Sequence, residues 1–182
     1  MRVISGSAGG RTLYPPKSGE TRPTSDLVRG MIFNVLDNVA ENWSRVLDLY
    51  AGSGALGIEA LSRGAESAVF VERSNDACLA IRKNLTQLGF EKNATMVRQA
   101  VENALDGLTG TFGLIFLDPP YADEGIEKVV RKLAGSALLA EDSVVVVEHR
   151  RNRTFAEDFN RLELFKERRH GDTVVSFFRV KE

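Results

Sequence analysis

From Arg45 onward, the apolar and polar positions of the chain follow two alternating periodicities. Short apolar runs rich in β-formers predict strands, and segments with apolar residues three or four positions apart predict helices. The predicted strands span residues 45–50, 67–72, 94–98, 112–117 and 143–148. The predicted helices span residues 54–63, 74–88, 101–108 and 123–134, with a short helix near 153–159. This alternation is typical of an α/β protein, in which a parallel sheet carries helices on both faces.

The residues before this region predict an N-terminal extension. Two short apolar segments on either side of Gly9-Gly10 favour a small hairpin. Apolar positions after Ser25 recur at helical spacing up to Val39, so an amphipathic helix follows. The hairpin, the connecting loop and the helix are predicted at residues 1–16, 17–23 and 24–39. We expect a single domain, residues 1–182, in which this extension occupies 1–40 and a core occupies 45–182.

The end of the chain breaks the alternation of strand and helix. Two segments with the pattern of strands, 161–169 and 173–180, flank His170-Gly171-Asp172. A glycine-containing turn between two such segments signals a hairpin. At least one antiparallel strand is therefore expected to join the sheet at its end.

The composition restricts the class of protein. A length of 182 residues with 43% hydrophobic and 27% charged residues fits one soluble globular domain. No apolar stretch approaches the length of a membrane-spanning helix, and the first residues lack the apolar segment of a signal peptide. Cys78 is the only cysteine, and His149 and His170 lie far apart, so we expect neither a disulfide nor a bound metal. These features favour a cytoplasmic protein.

The stretch Leu117-Asp118-Pro119-Pro120-Tyr121 follows the apolar run at 112–117. Proline has no N–H for a sheet ladder, so the strand is expected to stop at Asp118. In open α/β sheets, ligands bind at the carboxyl ends of the strands. An acid, a rigid turn rich in carbonyls and an aromatic ring suit a flat ring that carries an amine. The alternative is an ordinary turn in which Asp118 caps the next helix.

A glycine-rich turn follows the first strand of the core. The residues from Gly52 to Gly57 fit the pattern G-x-G-x-x-G, which brings backbone close to a ligand at a helix N-terminus. Glu72 ends the next strand, at the spacing of an acid that binds ribose hydroxyls. An NAD-dependent oxidoreductase is one interpretation of this pattern. It is disfavoured because the sequence shows no evident His or Tyr site for hydride transfer.

The acid inside the first strand separates two classes of ligand. Asp48 lies shortly before the glycine turn, where its carboxylate would repel a pyrophosphate. A cationic ligand would be attracted instead. S-adenosylmethionine carries an ammonium and a sulfonium and has no phosphate, so it fits this pattern.

Two pairs of motifs resemble known proteins. V-L-D-L-Y-A-G-S-G at 46–54 and L-D-P-P-Y at 117–121 resemble class I S-adenosylmethionine-dependent methyltransferases of exocyclic amines. The N-terminal motifs at 2–13 and 21–36 are similar to those of the RsmD family, which methylates N2 of a guanine in 16S ribosomal RNA. The resemblance covers essentially the whole chain. It implies a Rossmann-like, seven-stranded, mostly parallel sheet with the last strand antiparallel.

The resemblance also implies a site for each ligand. The implied cofactor-binding residues are Asp48, Tyr50, Ala51, Gly52, Ser53, Gly54, Gly57, Glu72, Arg73, Gln99, Ala100, Asp118 and Thr24. The residues implied to hold the target base are Asp118, Pro119, Pro120 and Tyr121. After the third strand such enzymes usually offer an acid or Asn to the adenine amine, where this chain has Arg98-Gln99-Ala100. The Gln99 side chain, the Ala100 backbone or the nearby Glu102 are the candidates for that contact.

An RNA substrate requires cations, although the net charge of the chain is only −1. The predicted RNA-binding residues are Arg2, Arg11, Lys17, Arg22, Arg150, Arg151 and Arg153. We expect a monomer that acts on ribosomal RNA or on the small-subunit ribonucleoprotein, away from membranes. Amine methylation of adenine N6 in DNA or of a protein glutamine, and a noncatalytic RNA-binding module on the same fold, are the alternatives.

Overall fold

A computed structural model describes residues 1–17, 25–120, 125–152, 155–156 and 158–181. The helices are α1 (Asp26–Val39), α2 (Ala55–Ser62), α3 (Asn75–Leu88), α4 (Val101–Gly107) and α5 (Ile126–Ala134), with a 3-10 turn at Glu91–Asn93. The strands are β1 (Arg45–Leu49), β2 (Ser67–Val71), β3 (Ala94–Val97), β4 (Phe112–Leu117), β5 (Leu139–Arg150), β6 (Asp158–Phe159), β7 (Leu162–His170) and β8 (Thr173–Val180). The predicted alternation of strand and helix is confirmed.

One sheet contains all the described strands, in the order β3-β2-β1-β4-β5-β8-β7-β6. β1 to β5 pair in parallel, and β8 lies antiparallel between β5 and β7. β7 and β8 form the predicted hairpin. β2 and β3 lie on one side of β1, whereas β4 and β5 lie on the other. The order of the strands therefore reverses between β1 and β4. Ligands of open α/β sheets bind at such a switch point.

The segment before β7 differs from the sequence prediction. The short helix expected near 153–159 is wrong at Asp158–Phe159, which forms β6 and pairs with β7. Asn160 adopts a left-handed conformation (φ 62°), and its N–H donates to Asp158 Oδ1 at 2.9 Å, which closes a tight turn. β6 raises the strand number in the described residues to eight, where the resemblance implied seven.

β5 is longer than the apolar run that predicted it. Its first residue, Leu139, pairs with Phe112 of β4, and its last, Arg150, pairs with Thr173 of β8. Pairing with neighbouring strands therefore extends β5 into polar sequence at both ends. The predicted start of α5 at residue 123 lies outside the described residues, and the helix is described from Ile126.

Apolar residues cover both faces of the sheet. α1, α2 and α3 pack on one face, where Phe33 of α1 lies 5.7 Å from Phe116 of β4 between ring centroids. α4 and α5 pack on the other face. Within the described ranges, no helix has the length and apolar character needed to span a membrane.

The N-terminal hairpin packs on α2. Arg2 and Thr12 form its antiparallel bridge. The N–H groups of Ile4 and Ser5 donate to the buried carboxylate of Glu59 at 2.7 and 3.0 Å. A Cβ added to Gly6, at φ +80°, would lie 1.9 Å from the Ser62 carbonyl oxygen, so only glycine permits this contact. The hairpin is therefore anchored to the helix that follows the glycine turn.

Candidate active site

The glycine turn between β1 and α2 has a left-handed backbone. Tyr50, Gly52 and Gly54 have φ values of 61°, 56° and 79°. Tyr50 is a non-glycine residue in a region that costs about 1–3 kcal/mol, and such strain clusters at ligand sites. A Cβ added to Gly52 would meet nothing nearer than the Tyr50 carbonyl oxygen at 3.9 Å. The surface of the turn at Gly52 is thus open to a ligand.

Gly57 permits close packing of α2 on the sheet. A Cβ at this position would lie 2.4 Å from Phe70 Cε1 and 3.1 Å from Asp48 Oδ2. The Gly57 N–H donates to Asp48 Oδ2 at 2.9 Å. The first turn of α2 therefore lies directly against β1 and holds the Asp48 carboxylate in place.

Asp48 is a buried acid with one hydrogen bond from the protein backbone. Burial raises the pKa of its carboxyl well above the ordinary value, and the Gly57 N–H partly opposes this shift. The negative charges of Asp118 and Glu72 raise the pKa further. A cation bound beside Asp48 would favour the ionised form, so the site is suited to a positively charged ligand.

Glu72 connects the glycine turn to the next helix. Its Oε2 accepts from the Gly52 N–H at 2.9 Å, and its Oε1 accepts from the Ser74 N–H at 2.8 Å. Each oxygen has a second lone pair that can accept a ligand hydroxyl. Ser74 caps α3, since its side chain accepts from the Ala77 N–H.

Asp118 follows the last residue of β4, as the two prolines predicted. Leu117 pairs with Leu49 of β1, so Asp118 and the start of the glycine turn lie at the same sheet edge. Asp118 is half-buried, Pro119 is buried and Pro120 is exposed. The edge therefore offers a carboxylate and a rigid turn beside the glycine turn.

The end of β3 completes one side of the site. The Glu72 N–H donates to the Val97 carbonyl at 3.1 Å, and the Gln99 N–H donates to the same carbonyl at 3.2 Å. Gln99 and Arg73 are exposed, and the half-buried Ala100 caps α4 without a side-chain hydrogen bond. These residues lie beside Glu72, where an adenosine would extend from the ribose.

The predicted basic residues divide into two groups. Arg2, Arg11 and Lys17 belong to the N-terminal segment, and Arg11 Nη2 donates to the Gln87 carbonyl of α3 at 2.9 Å. Arg150 and Arg151 are exposed where β5 ends, at the same sheet edge as Asp118. The predicted site residues Arg22, Thr24, Tyr121 and Arg153 lie outside the described residues.

Sequence reasoning missed Asn84, a buried residue of α3. Its Nδ2 donates to the Ser53 carbonyl at 3.0 Å and to the Tyr14 carbonyl at 2.9 Å, and its Oδ1 accepts from the Tyr14 N–H at 2.7 Å. Asn84 thus joins the glycine turn to the N-terminal segment. The available signal was an amide within the apolar stripe of α3, next to Leu85 and three positions after Ile81.

The donor set fits S-adenosylmethionine. Buried Asp48 can face the cationic methionine portion, and Glu72 can accept from the ribose. The backbone beside Gly52 leaves room for close approach.

Comparisons with known proteins decide the family. A family model described as "Conserved hypothetical protein 95" matches residues 1–179. The chain belongs to this family, the RsmD family. Ribosomal RNA small subunit methyltransferase D of Escherichia coli (strain K12) is 36% identical over 148 residues, which cover 81% of this chain and 74% of that protein. The resemblance found in the motifs is therefore confirmed.

Solved structures confirm the fold. The Escherichia coli protein yhhF has 32% identity and a TM-score of 0.84, over 100% of this chain and 98% of that chain. The ribosomal protein L11 methylase of Lactobacillus delbrueckii shares the fold alone, with 18% identity and a TM-score of 0.71 over 88% of this chain and 81% of that chain. The predicted Rossmann-like methyltransferase fold, with its mostly parallel sheet, is thus confirmed, with β6 as an addition to the implied strand count.

Proposed function

We propose that this protein transfers a methyl group from S-adenosylmethionine to the N2 amine of a guanine in 16S ribosomal RNA. The observation that carries the proposal is that Asp48 and Asp118 lie near the carboxyl ends of neighbouring strands, close enough for the charge of Asp118 to raise the pKa of Asp48. The glycine turn suits the cofactor, and the Asp118-Pro119 turn suits an amine. The RsmD relative acts on small-subunit ribosomal RNA, and the similarity covers most of both chains.

Residues at the carboxyl ends of β1, β2 and β3 would hold the cofactor, which supplies an electrophilic methyl group on a sulfonium. Asp48 would face the cationic methionine portion, and Glu72 would accept from the ribose hydroxyls while retaining its bonds to Gly52 and Ser74. Gln99 or the backbone of Ala100 would meet the adenine amine. These contacts match a cationic ligand that carries a ribose and an adenine.

Asp118 and the Pro119 carbonyl would hold the guanine amine. This amine is a poor nucleophile because its lone pair is delocalised into the ring. If Asp118 and the carbonyl accept hydrogen bonds from its two N–H groups, the nitrogen lone pair would be directed toward the methyl group. The rigid turn then supplies catalysis mainly by positioning, with the reacting atoms about 3–3.5 Å apart.

The charges balance without a metal or a covalent adduct. In this transfer the new N–C bond would form as the S–C bond breaks, and the positive charge would pass from sulfur to nitrogen. The extra proton on the amine passes to Asp118 or to water. The sulfur compound leaves as a neutral thioether, and the methylated amine is neutral after proton loss.

The proposal is tested by supplying the purified protein with labelled S-adenosylmethionine and one of two unmodified substrates. One substrate is naked 16S RNA, and the other is the small-subunit ribonucleoprotein. We expect N2-methylguanosine at one position, identified by mass spectrometry of the digested RNA. N6-methyladenosine, or cofactor binding without methyl transfer to either substrate, would contradict the proposal. Action as a monomer in the cytoplasm is part of the same proposal and is checked by light scattering and by cell fractionation.

Exposed arginines of the hairpin should hold the RNA through its phosphates, which position it without reading sequence. The double variant Arg2→Ala and Arg11→Ala should weaken RNA binding. It should also reduce the log–log slope of affinity against salt by up to about 0.7 for each single-strand phosphate that is no longer bound. Cofactor affinity should stay unchanged. The measurement is RNA affinity across a salt series.

A matched control exists away from the hairpin, on β8 and in the turn before β7. Arg161 and Arg179 are exposed, and Arg179 pairs with Val144 near the start of β5. The double variant Arg161→Ala and Arg179→Ala changes the net charge by the same amount. Because neither residue is among the predicted RNA-binding residues, it should leave the salt slope unaltered. Equal slopes for all three proteins would assign the hairpin a purely structural role.

A further inference from the structure

Arg29 is the only lysine or arginine that is buried among the described residues, with an exposed fraction of 0%. It lies in the first half of α1, on the apolar stripe that includes Ile32, Phe33 and Leu36. Arginine is almost never fully buried unless its charge is paired. The charge of this side chain is therefore expected to be paired.

The partners in the protein use only part of the Arg29 guanidinium. Nη2 donates to the Arg2 carbonyl at 2.5 Å and to Asp26 Oδ1 at 2.6 Å. Nε and Nη1 are buried, yet neither has a hydrogen-bond partner among the described residues. Asp26 is also within 3.9 Å of Arg2, so one half-exposed carboxylate serves two guanidinium groups. Buried donors without acceptors are costly, so this arrangement is suited to an added anionic acceptor.

Packing places Arg29 near the ligand edge of the sheet. Phe33 contacts Phe116, and Arg29 lies four residues before Phe33 on the same helix face. Four helical residues span about 6 Å, and the two strand residues from Phe116 to Asp118 span about 6.6 Å. Since α1 ends near the start of β1, its first turns lie toward the opposite, carboxyl edge. Arg29 is therefore at about the level of Asp118.

A second set of contacts links Arg29 to the glycine turn. Arg29 bonds to the Arg2 carbonyl, and the neighbouring residue Met1 places its sulfur 3.9 Å from Ser53 Oγ. Ser53 lies in the turn just before α2. The first two residues of the chain thus connect the buried guanidinium to the cofactor turn.

The charges of the site indicate which anion would bind. Asp48, Glu72 and Asp118 complement the ammonium, the sulfonium, the ribose and the target amine, but S-adenosylmethionine also carries a carboxylate. On this basis we propose that Arg29 binds the carboxylate of the cofactor's methionine portion through Nε and Nη1. The inference rests on the proposed function, because it assigns a residue to the same cofactor. A charged bidentate pair of this kind is among the strongest hydrogen-bonded contacts in proteins.

The test compares ligands with and without the carboxylate. S-adenosylhomocysteine retains the amino-acid portion, whereas 5′-methylthioadenosine lacks it. In calorimetry, Arg29→Met should weaken S-adenosylhomocysteine binding by about 10–150-fold. The same variant should change 5′-methylthioadenosine binding by less than about 2-fold. Arg29→Lys retains the charge but loses the bidentate guanidinium, so it should give an intermediate loss of S-adenosylhomocysteine affinity.

Arg63→Met is the matched control. Arg63 is a mostly buried arginine on the same sheet face, its guanidinium lies 4.8 Å from the Phe33 ring, and its partners are Glu59 and Asp37. This variant should lower the thermal midpoint without changing the ratio of the two affinities. If Arg29→Met does not fold, the ratio for Arg29→Lys decides the question.

Three results would overturn the inference. Equal losses of affinity for both ligands would mean that Arg29 only shapes the N-terminal region. Unchanged affinity for both would exclude a contact with the cofactor, and a loss confined to RNA affinity would assign the two nitrogens to the guanine instead. If the wild-type protein binds neither ligand, the proposed function fails. If it binds both and only the predicted ratio is missing, the Arg29 inference alone fails.

Discussion

Replacing Asp118 by Ala is expected to reduce kcat by on the order of hundreds-fold, while affinity for S-adenosylmethionine stays within a few-fold. The carboxylate of Asp118 would contact the amine most strongly when positive charge develops on the nitrogen. An interaction that strengthens only in the transition state lowers kcat rather than binding when it is removed. The measurements are single-turnover methylation of RNA and calorimetry with the cofactor.

Asp118→Asn and Asp142→Ala serve as controls for this result. Asp118→Asn keeps the shape of the side chain but loses its charge, so it should also be slow. Asp142 is an exposed acid of β5 near the sheet edge away from the site, and its replacement should leave kcat unchanged. A normal rate for Asp118→Ala would make Asp118 a residue of the turn alone.

Asp48→Asn should weaken S-adenosylmethionine binding by about 10–150-fold, because it removes a charge-assisted interaction with the cofactor. Wild-type affinity should rise with pH, since burial raises the pKa of Asp48 and the cation binds its ionised form. The variant should lose this dependence. Binding of 5′-methylthioadenosine, which lacks both cationic groups, provides the control across the same pH series.

The same substitution should stabilise the protein without ligand. The pKa of Asp48 is higher in the folded than in the unfolded state, so folding stability falls as pH rises from the unfolded pKa to the raised folded pKa. Asn cannot ionise, and its side-chain oxygen can still accept from the Gly57 N–H. Each pKa unit corresponds to about 1.4 kcal/mol, and each kcal/mol raises Tm by about 2–4 °C at this chain length.

Thermal unfolding of both proteins across pH checks this second effect. The gain should be absent in acid and should grow as pH rises toward the raised pKa. Asp142→Asn, at an exposed position, should show no such gain. If Asp48→Asn is less stable than the wild type at neutral pH, contacts within the fold stabilise the ionised carboxylate of Asp48. A bound cation is then not needed to stabilise its charge.

The sequence by itself determined the local elements and the motifs. Strand and helix periodicities are local, so they predicted the α/β alternation and the final hairpin. The missing N–H of Pro119 predicted that β4 would end at Asp118. The spacing of Gly52, Gly57 and Glu72 indicated a ribose-bearing ligand, because such a turn lets backbone approach a ligand and an acid at this spacing can bind ribose hydroxyls.

Tertiary structure alone decided how these elements meet. β6 replaced a predicted helix because Phe159 packs against Phe178 across the sheet, a contact that local periodicity cannot show. The raised pKa of Asp48 depends on burial and on charges that lie far away in sequence. The joining of the glycine turn to the hairpin by Asn84, and the unused donors of Arg29, likewise arise from distant segments. Burial and pairing between such segments depend on three-dimensional packing, which sequence spacing does not specify.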